Sequence, residues 1–361
     1  MKQIKLILSL IFILSLAQTR SLGQNEIQIN QKMKEAILDS IISEIDKAYV
    51  VIETADKMIL KLETKRNKGD YNEIRLLSKF LNEIEQDCKS VYNDLHFGLS
   101  QVHNTNEPEG DTKSNMQAEM MEVFFREINF GFMEIKILPG NVGYLKLNCF
   151  PSVQEAASIA NSVMGFFQNT DALIIDLREN GGGYPSMVRL LMTYFFNTRE
   201  HFGNLYQREG DITLQSWTSD FVPGKRLSKV LLYVLTSRTT CSAAEGFSFG
   251  LKNLNRATIV GENTSGGGHT ASNRHIRFED FDIIISLPIC WAFDPKTGKG
   301  FEKSGVFPDM KTDSEKAFSE AYNLALDSLL LSPKNEMHKK SLIRAKKTAG
   351  KQSDIIQNHQ F

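Results

Sequence analysis

Apolar residues recur at every third or fourth position in two early stretches, Ile37, Ile41, Ile45 and Ala48 in the first and Leu77, Leu81, Ile84, Cys88 and Val91 in the second. That period predicts two amphipathic helices, one from Met33 to about Leu62 and one over the second run. The polar stretch Lys65 to Asp70 between them reads as a turn. Together they predict a small helical bundle over residues 24–95. The Asn-, Glu-, Gly- and Asp-rich stretch from Asn104 to Asn115 reads as a loop within a connecting loop-and-hairpin segment, residues 96–135.

The pattern then changes. Val142 to Leu147 reads as a strand, and Ser152-Val153-Gln154-Glu155 as a capping box that opens a helix running to about Phe167. The stretch Ala172-Leu173-Ile174-Ile175-Asp176-Leu177 predicts a continuous buried strand, followed by the glycines Gly181 to Gly183 and a helical pattern from Met187 to Phe196. A second such unit follows: strand Val230 to Leu235, a Ser/Thr loop, a helix from about Ser242 to Leu254, and strand Ala257 to Val260. Strands alternating with helices predict an α/β core with parallel segments over residues 136–332. Phe281 to Leu287 with the turn Pro295 to Gly298 reads as strand and hairpin, and Ser314 to Leu331 as a closing helix. Residues 333–361, rich in Lys, His and Gln, read as a basic tail, frayed or loosely docked.

Composition narrows the setting. Lys2 and Lys5 precede the apolar run Leu6 to Ala17, which is too short to span a bilayer and reads as a signal peptide, with Ser21 and Gly23 placing cleavage after Gly23. No cysteine follows the run, which argues against a lipid anchor. With no second apolar stretch of membrane length, the mature chain is expected to be exported, periplasmic or extracellular, without an integral membrane span. A formal net charge of −1 gives no electrostatic reason to expect nucleic acid as a partner. Four cysteines, none in a C-x-x-C pair, are too few for a disulfide scaffold and do not suggest structural zinc. No HExxH occurs, His103 and His269 are expected at the polar rim of a cleft, and no metal or other cofactor is expected.

Ser242 falls just past an apolar strand, at the first turn of the next helix, where unpaired backbone N–H groups can stabilise an oxyanion. An ordinary helix-capping serine fits the same position. The glycines after Asp176-Leu177-Arg178-Glu179-Asn180 let backbone approach a ligand closely and fit the other half of an oxyanion hole. A phosphate loop fits them poorly, because no Lys-Ser/Thr follows. Cys241, beside Ser242, is the competing nucleophile.

Four motifs in order resemble the tail-specific (C-terminal processing) and tricorn-core serine peptidases over about Gly143 to Met310. They are D-L-R-x-N-x-G-G from Asp176 to Gly183, T-S-x-x-T-x-S-A-A-E from Thr236 to Glu245, V-G-E-x-T-x-G-G-G from Val260 to Gly268, and G-V-x-P-D from Gly305 to Asp309. The resemblance implies a crotonase-like or ClpP-like ββα core with a mixed sheet, a peptide or protein substrate, and Ser242 as nucleophile. One branch of the family uses a lysine about 25 residues after the serine. Here that region is Ser265-Gly266-Gly267-Gly268-His269, with no lysine.

The other branch implies His96 as general base and Glu302 as its orienting carboxylate, with Ala243 and the Gly181-Gly182 loop, Gly182 foremost, as the oxyanion hole. Cys241 matches a small spacer in the family segment. Two departures stand out: Leu95 precedes His96 where tricorn has a serine, and no room is left between the helical region and the core for a PDZ domain. The chain is also similar to the peptidase-like modules of interphotoreceptor retinoid-binding protein. That similarity gives the alternative of a non-catalytic exported carrier of an apolar ligand.

Overall fold

A computed structural model describes residues 26–103 and 112–358. The expected signal peptide and residues 104–111 of the expected loop lie outside the described residues. The first three helices are α1 (Gln31–Ala48), α2 (Ile52–Lys68) and α3 (Leu77–Val91). Asn30 starts α1 by accepting the Met33 N–H at 2.9 Å, and Gly69, left-handed at φ 77°, ends α2.

Next come β1 (Gly98–His103), α4 (Thr112–Glu127), β2 (Phe132–Leu138), β3 (Val142–Leu147), α5 (Val153–Phe166), β4 (Ala172–Asp176) and α6 (Pro185–Thr193). The chain continues through β5 (His201–Gln207), β6 (Ile212–Trp217), β7 (Leu231–Thr236), α7 (Ala243–Asn253), β8 (Thr258–Gly261), β9 (His269–Arg277) and β10 (Phe281–Phe293). It closes with β11 (Met310–Lys311), α8 (Ser314–Leu331) and α9 (Glu336–Asn358).

The apolar runs become the centre of a six-stranded sheet in the order β11-β8-β7-β4-β3-β2, parallel except for the edge pair β2–β3. The central strands β4 and β7 are apolar up to their carboxyl ends at Asp176 and Thr236 because both faces are covered. Leu173, Ile175, Leu232 and Val234 pack under α5, α6 and α7, while Ala172, Ile174, Tyr233 and Leu235 pack under α8 and α9. The segment expected to be a loose tail is thus a helix whose Leu342 and Ala345 are buried on that second face.

A second, antiparallel sheet runs β1-β10-β5-β6, with β9 also on β10. Alternation along β10 turns Phe281, Ile283, Ile285 and Leu287 inward, and they form one core with α1, α2 and α3. The segment expected as a bundle of its own is therefore packed onto a sheet contributed from far along the chain. The hairpin is β9–β10, closed by the Phe278 N–H to Phe281 carbonyl bond at 2.9 Å, and β10 extends past Leu287 to Phe293. The turn at Pro295 to Gly298 follows that strand. The β5–β6 hairpin, turning through Gly210 and Asp211, has no counterpart in the sequence reading.

Candidate active site

Two loops at the carboxyl ends of β4 and β7 build the platform under Ser242. In the first, Asp176 is fully buried, taking Arg178 at 2.9 and 2.6 Å and the Tyr144 hydroxyl at 2.8 Å. Burial pushes the Asp176 carboxyl up, but Arg178 and these bonds outweigh it and hold it below the usual carboxylate range. Asn180 donates to the Leu147 carbonyl and accepts the Gly182 N–H, each at 2.9 Å. The second loop is tied to the first: Thr240 donates to the Leu177 carbonyl at 2.8 Å, and the Cys241 N–H to the Asn180 carbonyl at 3.0 Å. Asp176, Arg178 and Asn180 thus hold the first loop in shape, and Thr240 and the Cys241 N–H fix the second loop against it.

Ser242 sits at the junction with α7 at φ 54°, ψ −118°, a conformation that costs a non-glycine residue about 1–3 kcal/mol. Its N–H donates to Glu245 Oε2 at 2.8 Å and its carbonyl accepts the Gly246 N–H at 2.9 Å, which hold the sharp turn in place. Gly182 has to be glycine here: its φ is 112°, and a Cβ would come within 2.8 Å of the Ser242 Cβ. Glu245 is fully buried and also accepts the Gly266 and Gly267 N–H groups at 2.7 and 2.8 Å and the Thr264 hydroxyl. Burial raises its carboxyl above the usual range, partly offset by these donors.

His96 arrives from the segment between α3 and β1, with Nε2 3.3 Å from Ser242 Oγ. Its N–H donates to Asp94 Oδ1 at 3.0 Å and its carbonyl accepts the Ser286 hydroxyl at 2.9 Å. Burial holds the imidazole below its ordinary value of about 6.5, against the opposing charge of Asp94. It is thus neutral at pH 7, as a general base requires. Burial pushes the neighbouring Cys241 thiol up to about 12, leaving it protonated and a poor nucleophile.

Ser242 and His96 are therefore brought together. Glu302 lies close by, with its carboxylate on other groups: Oε1 accepts the Tyr92 hydroxyl at 2.8 Å, and Oε2 the Gly268 and His269 N–H groups at 2.7 and 3.0 Å. The Gly182 amide is engaged by Asn180, whereas Gly183 and Ala243 line a cavity of about 350 Å³ that opens beside Ser242. Phe202, Leu205, Trp217, Phe249, Phe293 and Phe301 give that cavity a mainly apolar wall. Part of it comes from the hairpin that sequence reasoning missed. The alternation Ile212-Thr213-Leu214-Gln215 after the Gly210-Asp211 turn is the signal for it in the chain.

His269, expected at a rim, is buried. Its Nδ1 lies 2.6 Å from Asp94 Oδ2, which also accepts the Tyr49 hydroxyl at 2.9 Å. Asp94, His269 and Glu302 bring one ring nitrogen and two carboxylates within 4.8 Å of one another, a set chemically able to hold a cation. Those atoms are already tied by the hydrogen bonds just described. All four cysteines are free thiols, and among the described residues no helix is long and apolar enough to cross a membrane.

Residues 141–312 match the model of peptidase family S41. The tail-specific protease of Haemophilus influenzae is 31% identical over 117 residues, 31% of this chain and 15% of that protein. The tricorn protease of Thermoplasma acidophilum is 31% identical over 143 residues, 39% of this chain and 12% of that protein. A probable CtpA-like serine protease of Staphylococcus epidermidis is 23% identical over 177 residues, 49% of this chain and 35% of that protein. The chain thus spans only a minor part of the length of these relatives.

Among solved structures, mature CPAF superposes with a TM-score of 0.57 at 13% identity, covering 84% of this chain and 98% of that one. A putative peptidase from Parabacteroides merdae gives 0.55 at 17%, covering 82% and 98%. These likenesses are of fold. Over residues 141–312 this chain is thus similar to peptidase family S41.

Proposed function

We propose that the chain is an exported serine peptidase that cleaves peptide bonds through an acyl-enzyme on Ser242. The observation that carries this reading is the 3.3 Å contact between Ser242 Oγ and the buried, neutral His96 at the mouth of an apolar cavity. Ser242 Oγ attacks the carbonyl carbon while its proton passes to His96 Nε2. The oxyanion is held by the Ala243 N–H, which has no partner four residues back in α7, and by the glycine loop. With the Gly182 amide given to Asn180, Gly183 takes the part expected of Gly181 and Gly182.

The C–N bond then breaks as His96 returns the proton to the leaving amine. A water, deprotonated by the same nitrogen, hydrolyses the ester to the free acid. The cavity accepts a bulky apolar side chain next to the scissile bond. Glu302 supports the imidazole at one remove, holding the loop of Gly267, Gly268 and His269 against it.

The test is digestion of an unfolded reporter protein by the purified mature chain, with the new termini read by mass spectrometry. The expected result is cuts beside bulky apolar residues in the wild type and none in Ser242→Ala. A folded wild type that leaves the reporter intact but binds an apolar ligand tightly would identify a carrier.

A further inference from the structure

The geometry points to Asp94 and His269 as a positioning pair for His96: a buried carboxylate, clamped by a second histidine, that fixes the base and supplies the negative charge its protonated form needs. This rests on the reading of His96 as general base. Asp94 is 0% exposed and collects three donors, the His96 N–H on Oδ1 and the Tyr49 hydroxyl and His269 Nδ1 on Oδ2. Burial pushes this carboxyl up, but His269 and the His96 N–H outweigh it, and it stays ionised below the usual carboxylate range. A buried carboxylate adds little stability over an apolar group of the same size, so its place two residues from the base points to a role in the reaction.

The clamp also explains the second histidine. Tyr49 follows α1, Asp94 follows α3, and His269 opens β9, so the three bonds tie the segment carrying His96 to the glycine loop beside Ser242. Glu302 completes the tie by holding the His269 N–H and the Tyr92 hydroxyl, and Lys303 lies over the Tyr92 ring at 3.5 Å. The titratable and charged groups around His96 are therefore Asp94 and Tyr92 on its own segment, Tyr49 after α1, His269 at β9, Glu302 and Lys303 after β10, and Glu245 and Cys241 across Gly267. Asp94 accepts the backbone N–H of His96 itself.

The test has two arms. In ¹⁵N-histidine NMR titrations, Asp94→Asn keeps an acceptor for the His96 N–H but removes the charge, so the His96 pKa is expected to fall by about one unit or more. This arm needs no turnover, and it is decided separately from the loss of activity in His96→Ala that tests the parent reading. In the kinetic arm, kcat is expected to fall on the order of 100-fold with KM little changed. His269→Phe, which removes the donor, should show the same kcat loss, while His269→Asn, which keeps a donor near the Nδ1 position, should recover most of it. Should Asp94→Asn not fold, the two His269 variants decide alone. A folded Asp94→Asn with an unmoved His96 pKa, or equal activity in His269→Phe and wild type, would overturn the pair.

Discussion

His96 Nε2 stands 3.3 Å from Ser242 Oγ across 146 positions of sequence, joining the segment after α3 to the start of α7. The two side chains act on one proton, so their losses should not add. Ser242→Ala and His96→Ala are each expected to abolish measurable turnover of a reporter peptide, and the double variant to be no worse than either. Additive losses would mean that the two residues serve different steps.

The imidazole occupies space left by a missing side chain. A Cβ at Gly267 would lie 2.9 Å from Cys241 Sγ, 3.1 Å from His96 Cε1 and 3.3 Å from Glu245 Oε2. Gly267→Ala is expected to shift the ring and cut kcat on the order of 100-fold while near-ultraviolet circular dichroism stays native. Gly165→Ala is the contrasting control: nothing lies within 4 Å of the added methyl in α5. That variant should gain about 0.5–1 kcal/mol in denaturant unfolding with unchanged kcat/KM.

Much of this arrangement is legible from residues alone. The largely apolar runs at Ala172 and Val230 announce strands covered on both faces, and glycines and small polar residues at the strand ends mark the site loops. The place of α1 to α3 is less legible, because their partner face is Phe281 to Leu287, and an amphipathic stripe says that something covers it without saying what. Leu342 and Ala345 are hidden for a similar reason, among the lysines and arginine of α9. The bonds of Glu302 and His269 are set by the approach of distant loops, so residue type could nominate Glu302 but not its partners.

Those bonds give Glu302 its own test. Were it the direct partner of the imidazole, Glu302→Gln would cost about 10⁴ in kcat, the size seen when a triad carboxylate becomes an amide. Here Gln keeps an oxygen for the Gly268 and His269 amides and an NH₂ for the Tyr92 oxygen, so the loss should be far smaller. Glu302→Ala leaves two amides without their acceptor and should destabilise by about 1–3 kcal/mol. Steady-state kinetics together with urea unfolding separate the two cases.

The pH dependence has a definite sign. Burial lowers the His96 pKa, so the base is neutral and competent above that value and is lost as pH falls through it. The acid limb of kcat/KM should have its midpoint below about 6.5. Folding stability has the same sign, since the unfolded imidazole binds its proton more tightly: the contribution is complete above about 6.5 and declines as pH falls toward the folded value. An acid limb well above 6.5 would mean a different base.

Reaction of the purified protein with a fluorophosphonate, followed by peptide mapping, reads out an activated serine without a known substrate. A serine activated by His96 and set beside oxyanion donors should be phosphonylated at Ser242 alone, with labelling abolished in Ser242→Ala and strongly slowed in His96→Ala. A folded wild type that remains unlabelled, or that is modified at another residue, would contradict the account.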